Sequence, residues 1–178
     1  MTTTTSNRIS KPVLKKGSTG EAVKELQKLL LHYGMYVYID NNGACAYPTE
    51  AEAIDGVFGS KTEDAVKLFQ GKMFLVQDGI VGNKTWQALY KGAPVDMPIL
   101  KKGSTGVLVK QMQDRLFTGG YYSSELTMGN HASTVDGIFG LQTESAIKNL
   151  QKNAGLVADG IVSDRTWFEI SKIQTIFC

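Results

Sequence analysis

Histidine and cysteine are scarce: 178 residues contain two of each. Metal centres built from several histidine and acidic ligands have little to draw on, because His32 sits in a helical pattern and His131 in a polar loop pattern. Neither Cys45 nor Cys178 lies in a recognisable nucleophile signature. Charge of one sign is also missing. Lys+Arg total 19 and Asp+Glu 17, a net charge of +2. With no basic stripe, electrostatic nucleic-acid binding has little support. No hydrophobic run is long enough to span a bilayer. The opening "MTTTTSNRISKP" is polar throughout and has no apolar core of a signal peptide. Residues 1–11 therefore read as a disordered tail. That start implies an unusual export route, a signal removed beforehand, or action inside a cell or particle. What remains is ordinary soluble composition, 42% hydrophobic and 20% charged.

Repetition is abundant. "PVLKKGSTG" (Pro12–Gly20) returns as "PILKKGSTG" (Pro98–Gly106), 86 residues on. "DGVFG" (Asp55–Gly59) returns as "DGIFG" (Asp136–Gly140), and "DGIVGNKTW" (Asp78–Trp86) as "DGIVSDRTW" (Asp159–Trp167), both 81 residues on. The first copy thus has five extra residues between its first helix and its first Asp-Gly turn, and the chain is a duplicated domain with one loop of variable length. The expected boundaries are domain one over 12–92, a proline-bearing linker over 93–98 and domain two over 99–178. Copies of about 80 residues hold small cores. Their charges are balanced, 9 basic against 9 acidic over 12–92 and 8 against 7 over 99–178. The cysteines are not at equivalent repeat positions, so the reading is two free thiols rather than a duplicated disulfide framework.

Each copy predicts three helices. In "EAVKELQKLLLHY" the residues Ala22, Val23, Leu26, Leu29, Leu30 and Tyr33 form an apolar face. The second copy keeps the stripe as Leu108, Val109, Met112 and Leu116. Ser18 with Glu21, and Ser60 with Glu63, have the spacing of capping boxes. "LKKGSTG" then reads as a lead-in loop and helix cap, needed once per domain. Gly34 and Gly120 suit left-handed residues that end the first helix. The segments Val37–Ile54 and Ser123–Val135 are rich in turn formers and lack helical periodicity. A second helix faces inward through Ala65, Val66 and Phe69, or Ala146, Ile147 and Leu150. A third, short helix carries Trp86 or Trp167. The fold class is all-α: two tandem three-helix orthogonal bundles with long variable loops.

The pattern D-G-x-F-G-x-x-T-x-x-A-[VI]-x-x-[FL]-Q, then D-G-I-V, then T-W, resembles the peptidoglycan-binding-domain-like family, over about nine-tenths of the chain. In that family a small three-helix domain is appended to wall hydrolases and related proteins. The copies depart from it in places. Where the family has a glycine after the second helix, the second copy has Gly155 but the first has Phe74; Gly82 of the first is Ser163 in the second.

Several side chains are candidates for ligand contact, each with a structural alternative. Asp78 and Asp159, like Asp55 and Asp136, could rim a groove, but an Asx turn before glycine explains the dipeptide. Thr62 and Thr143 read as turn-bonding groups. Gln70 and Gln151 could hydrogen-bond a peptide amide or cap their helix. Trp86 and Trp167 could stack on a sugar, although their helical setting suggests core packing. Tyr36 and Tyr122, beside Tyr38 and Tyr121, could stack a ring while their hydroxyls stay wet. Paired carboxylates in a deep cleft are not evident, Glu50 and Glu52 being loop residues. With both halves assigned to binding domains, the expectation is no enzyme, no metal and no cofactor. The resemblance implies a non-catalytic tandem module that binds peptidoglycan through glycan or stem peptide, in the envelope or outside the cell, beside a separate wall hydrolase. The competing reading is a docking protein of a phage, injection or envelope assembly, cytoplasmic or particle-associated.

Overall fold

The computed structural model describes residues 10–39, 43–122 and 131–173. The chain divides into two compact units and passes from the first to the second between Val95 and Asp96. Unit 1 runs α1 (Glu21–His32), β1 (Tyr38–Ile39), β2 (Cys45–Ala46), α2 (Glu50–Ala53), α3 (Ser60–Lys72) and α4 (Asn83–Lys91). Unit 2 runs α5 (Val107–Thr118), α6 (His131–Thr134), α7 (Leu141–Asn153) and α8 (Asp164–Lys172). The fold is all-α, with three principal helices per unit. A two-stranded hairpin in unit 1 pairs Tyr38 with Ala46 and Ile39 with Cys45.

The apolar stripes form the cores. α1 buries Val23, Leu26 and Leu30, while α3 buries Ala65, Val66 and Phe69. Trp86 and Trp167 are each 1% exposed. Their indole Nε1–H groups donate to the Pro12 carbonyl at 2.9 Å and the Pro98 carbonyl at 2.8 Å. The core reading of both tryptophans holds, and each ties the segment before "LKKGSTG" to the last helix of its unit.

The repeated heptapeptide is a main-chain clasp. Leu14 and Val81 exchange both backbone hydrogen bonds, at 3.2 and 2.8 Å; Gly17 N–H donates to Phe58 O, Phe58 N–H to Ser18 O, and Gly20 N–H to Gly56 O, each at 2.9 Å. The second copy repeats this with Leu100 and Val162, Gly103, Phe139, Ser104, Gly106 and Gly137. One short segment thereby joins both Asp-Gly turns of its unit. Gly20 and Gly106 lead into α1 and α5 at φ of 108° and 119°, backbone that side chains with a Cβ rarely adopt.

Ser18 and Ser60 do not cap helices: Gly20 and Gly59 hold those positions, and the Ser18 hydroxyl accepts from Lys15 N–H at 3.1 Å to close the turn. A capping box does exist, at Thr49 and Glu52 before α2, within the segment read as non-helical. Four residues are too few to show helical periodicity. Cys45 is disulfide-bonded, so the reading of two free thiols fails. A disulfide need not be duplicated with the domain, and an unmatched cysteine can pair with another unmatched one. Cys178, the chain's other cysteine, lies outside the described residues, as does the tail through residue 9. Lys11, expected within that tail, forms an ion pair with Glu25.

Candidate functional site

Beneath both clasps, a buried glutamine reads an Asp-Gly turn, and this happens four times. Gln27 accepts from Gly56 N–H at 2.8 Å through Oε1, while its Nε2 donates to Asp55 Oδ1 at 2.7 Å, to Val57 O and to Thr62 Oγ1 at 3.2 Å. Gln70 does the same with Gly79, Asp78, Ile80 and Thr85. Gln113 serves Gly137, Asp136, Ile138 and Thr143, and Gln151 serves Gly160, Asp159, Ile161 and Thr166. Each aspartate also accepts from the N–H two residues on, at 2.8 to 2.9 Å, as an Asx turn requires.

Hydrogen bonding to the charged form sets the carboxylates' acidity. The Val57 N–H and the Gln27 amide hold Asp55 below its ordinary value, and the Ile161 N–H and Gln151 amide do so for Asp159. At Asp136 desolvation pushes upward, but bonds from Gln113 and Ile138 outweigh it and the net direction is down.

The candidate residues separate into distinct places. Gln70 with Asp78, and Gln151 with Asp159, are partners in the knots, where their amides already engage a donor and several acceptors. Tyr36 and Tyr122 are 5% and 6% exposed, and their hydroxyls meet Thr62 and Thr143 at 3.2 and 3.5 Å. The expectation of a wet hydroxyl is therefore corrected, and burial raises the pKa of both phenols. Tyr38 is half-buried on β1, with Lys61 Nζ 4.6 Å from its ring centroid. Tyr121 is half-buried and lines a cavity of about 190 Å³ with Asn153, Glu169 and Lys172.

A second cavity, about 200 Å³, opens in unit 1 between α2, the first Asp-Gly turn and the start of α3. Tyr36, Gln27 and Thr62 line it on the buried side, and Pro48, Glu52, Asp55, Ser60 and Lys61 line it toward solvent. Glu52 is fixed by the Thr49 N–H and hydroxyl, at 2.8 and 2.9 Å. Those bonds, with lesser help from nearby Lys61, lower its pKa. Sequence reading does not single out Gln27, Gln113 or Lys61 as site residues, and it weighs Glu52 only with Glu50 as a carboxylate pair. The glutamines carried a signal, since they are 86 residues apart, the same offset as the clasp.

Both units match the family model for the peptidoglycan binding domain, over residues 19–89 and 105–168. The chain belongs to the peptidoglycan binding domain family. It is 31% identical over 182 residues to N-acetylmuramoyl-L-alanine amidase CwlL of Bacillus licheniformis, covering 92% of this chain and 46% of that protein. It is 31% identical over 158 residues to N-acetylmuramoyl-L-alanine amidase CwlM of Mycobacterium tuberculosis, covering 86% and 36%. A spore cortex-lytic enzyme of Bacillus cereus is 36% identical over 96 residues, 54% of this chain and 32% of that one. Among solved structures, the SleB N-terminal domain is 37% identical, covering 47% of this chain and 94% of its own, with a TM-score of 0.38. The chain spans less than half the length of the two amidases. These matches overturn the expectation of a non-enzyme: assigning both peptidoglycan binding domains leaves the protein's relatives bearing the names of lytic enzymes. Among the described residues, no helix is long and apolar enough to cross a membrane.

Proposed function

We propose that the two peptidoglycan binding domains hold a cell-wall lytic protein on its polymeric substrate, within the envelope or outside the cell. The observation that carries this is the match of both units to the family, together with relatives named as wall-lytic enzymes across most of the chain. The knots supply the rigid frame, with Gln70, Asp78, Gln151, Asp159, Tyr36 and Tyr122 acting from within it. Tyr121, half-buried in the lining of one cavity, and Tyr38, half-buried under the Lys61 ammonium, are the tyrosines we assign to direct contact. Two linked sites on one polymer gain avidity of about 10²–10⁴ when both can engage. Co-sedimentation with purified sacculi tests the binding. Saturable retention is expected, and its absence overturns the reading. Release of soluble fragments from the same sacculi tests the lytic role, which fails if the protein is retained and nothing is released.

A further inference from the structure

The cavity of unit 1 carries charges of opposite sign on two different elements. Glu52 stands on α2, its carboxylate oriented by the two bonds from Thr49. Lys61 stands in the first turn of α3, its ammonium over the Tyr38 ring. Asp55 adds a second carboxylate at the rim, with Oδ1 already committed to the turn. Both Glu52 and Lys61 are exposed at the mouth.

We propose that this cavity takes the peptide part of the wall polymer, a short stretch bearing both an ammonium and a carboxylate, and that Glu52 and Lys61 set the preference. This rests on the peptidoglycan-binding reading above. Three observations favour peptide over glycan. The cavity of about 200 Å³ is smaller than the roughly 300–1,000 Å³ of sites that enclose a whole small molecule, so it suits one or two amino-acid residues better than an enclosed disaccharide. Its lining aromatic, Tyr36, is buried with its hydroxyl held by Thr62, so it presents no stacking platform for a sugar. The charges at the mouth suit a zwitterionic ligand, which an uncharged N-acetylated glycan is not. The same positions of unit 2, 81 residues on, are Ser133 and Gln142, so the charge pair belongs to unit 1 alone.

The test titrates the full chain with two soluble probes. One is a synthetic stem tripeptide ending in a diamino acid with a free side-chain amine and free carboxylate; the other is the N-acetylglucosamine tetramer. The tripeptide binds, the tetramer does not compete, and acetylating the amine weakens binding about tenfold or more. Lys61→Gln weakens the tripeptide by a similar factor, with melting followed because Lys61 also packs over the Tyr38 ring. Glu52→Gln does likewise, with melting followed because Glu52 also caps α2. Unchanged affinity in Lys61→Gln, or competition by the tetramer, overturns the proposal. Sacculus retention of the parent chain is measured alongside. Retention without tripeptide binding overturns this inference only, whereas loss of both overturns the binding reading as well.

Discussion

Units 1 and 2 use the same buried polar frame and differ in what stands at their surface. The clasp, both glutamine knots and the tryptophan–proline tie recur bond for bond at offsets of 86 and 81 residues. Around unit 1 the sequence adds charge and aromatic contact. Lys11, Glu25 and Tyr90 form a hydrogen-bonded group over Trp86, with the Trp86 and Tyr90 rings stacked at 5.8 Å. The corresponding positions of unit 2 are Met97, Gln111 and Ser171. The lesson is that buried polar groups constrain one another tightly, because losing any one strands its partners in the interior, while exposed positions over the same frame can change freely.

The largest effect should come from the tryptophans. Trp86→Ala and Trp167→Ala should each destabilise their own unit by about 3–5 kcal/mol, seen as a shift in denaturant unfolding. Part of the Trp86 loss comes from Tyr90 stacking at 5.8 Å, so Trp86→Ala in a Tyr90→Ala background should cost less than in the parent. Equal costs in the two backgrounds would show that the surface group of unit 1 adds nothing to stability.

Next come the knots. Gln27→Leu and Gln113→Leu each leave a buried glycine N–H without its acceptor, and should cost about 1–3 kcal/mol. The two values should agree closely, because the bonds are the same. A difference greater than the error of the unfolding measurement would break the equivalence of the units.

Smaller still is a backbone effect. Gly155 follows α7 at φ 69°, where unit 1 has Phe74 at φ 57°. Gly155→Ala should cost about 1–2 kcal/mol, as left-handed backbone does for residues with a Cβ. Unit 1 already carries that cost at Phe74, so Phe74→Ala should show no such backbone term.

The mildest test is acid. Asp55, Asp136 and Asp159 have folded pKa values below their unfolded ones. Their stabilisation is present above the unfolded value of about 3.9 and is lost as pH falls through the lower folded values. Both units should therefore weaken below about pH 4. Unit 1 should weaken further, because bonds from Lys11 and Tyr90 also lower Glu25, whose counterpart is the non-titrating Gln111. Thermal unfolding followed from pH 6 down to pH 2 would show whether the two transitions separate.

Much of this was legible in the sequence. Duplication, three helices per copy and the buried tryptophans follow from repeats and from apolar spacing, because those signals are local and each was written twice. The Asx turns were legible too, since Asp before Gly encodes its own geometry. Tertiary structure alone decided which polar residues are framework and which face a ligand. Gln27 lies 28 residues from Asp55, and no local rule links them. Tyr36 has the composition of a contact residue, yet a fold that brings Thr62 to its hydroxyl buries it. Glu52 read only as a loop carboxylate and Lys61 carried no signal, yet both line one cavity because the four-residue α2 lies beside the first Asp-Gly turn and the start of α3. Long-range hydrogen bonds and the closing of loops assign those roles, and both depend on distances that a one-dimensional pattern does not contain.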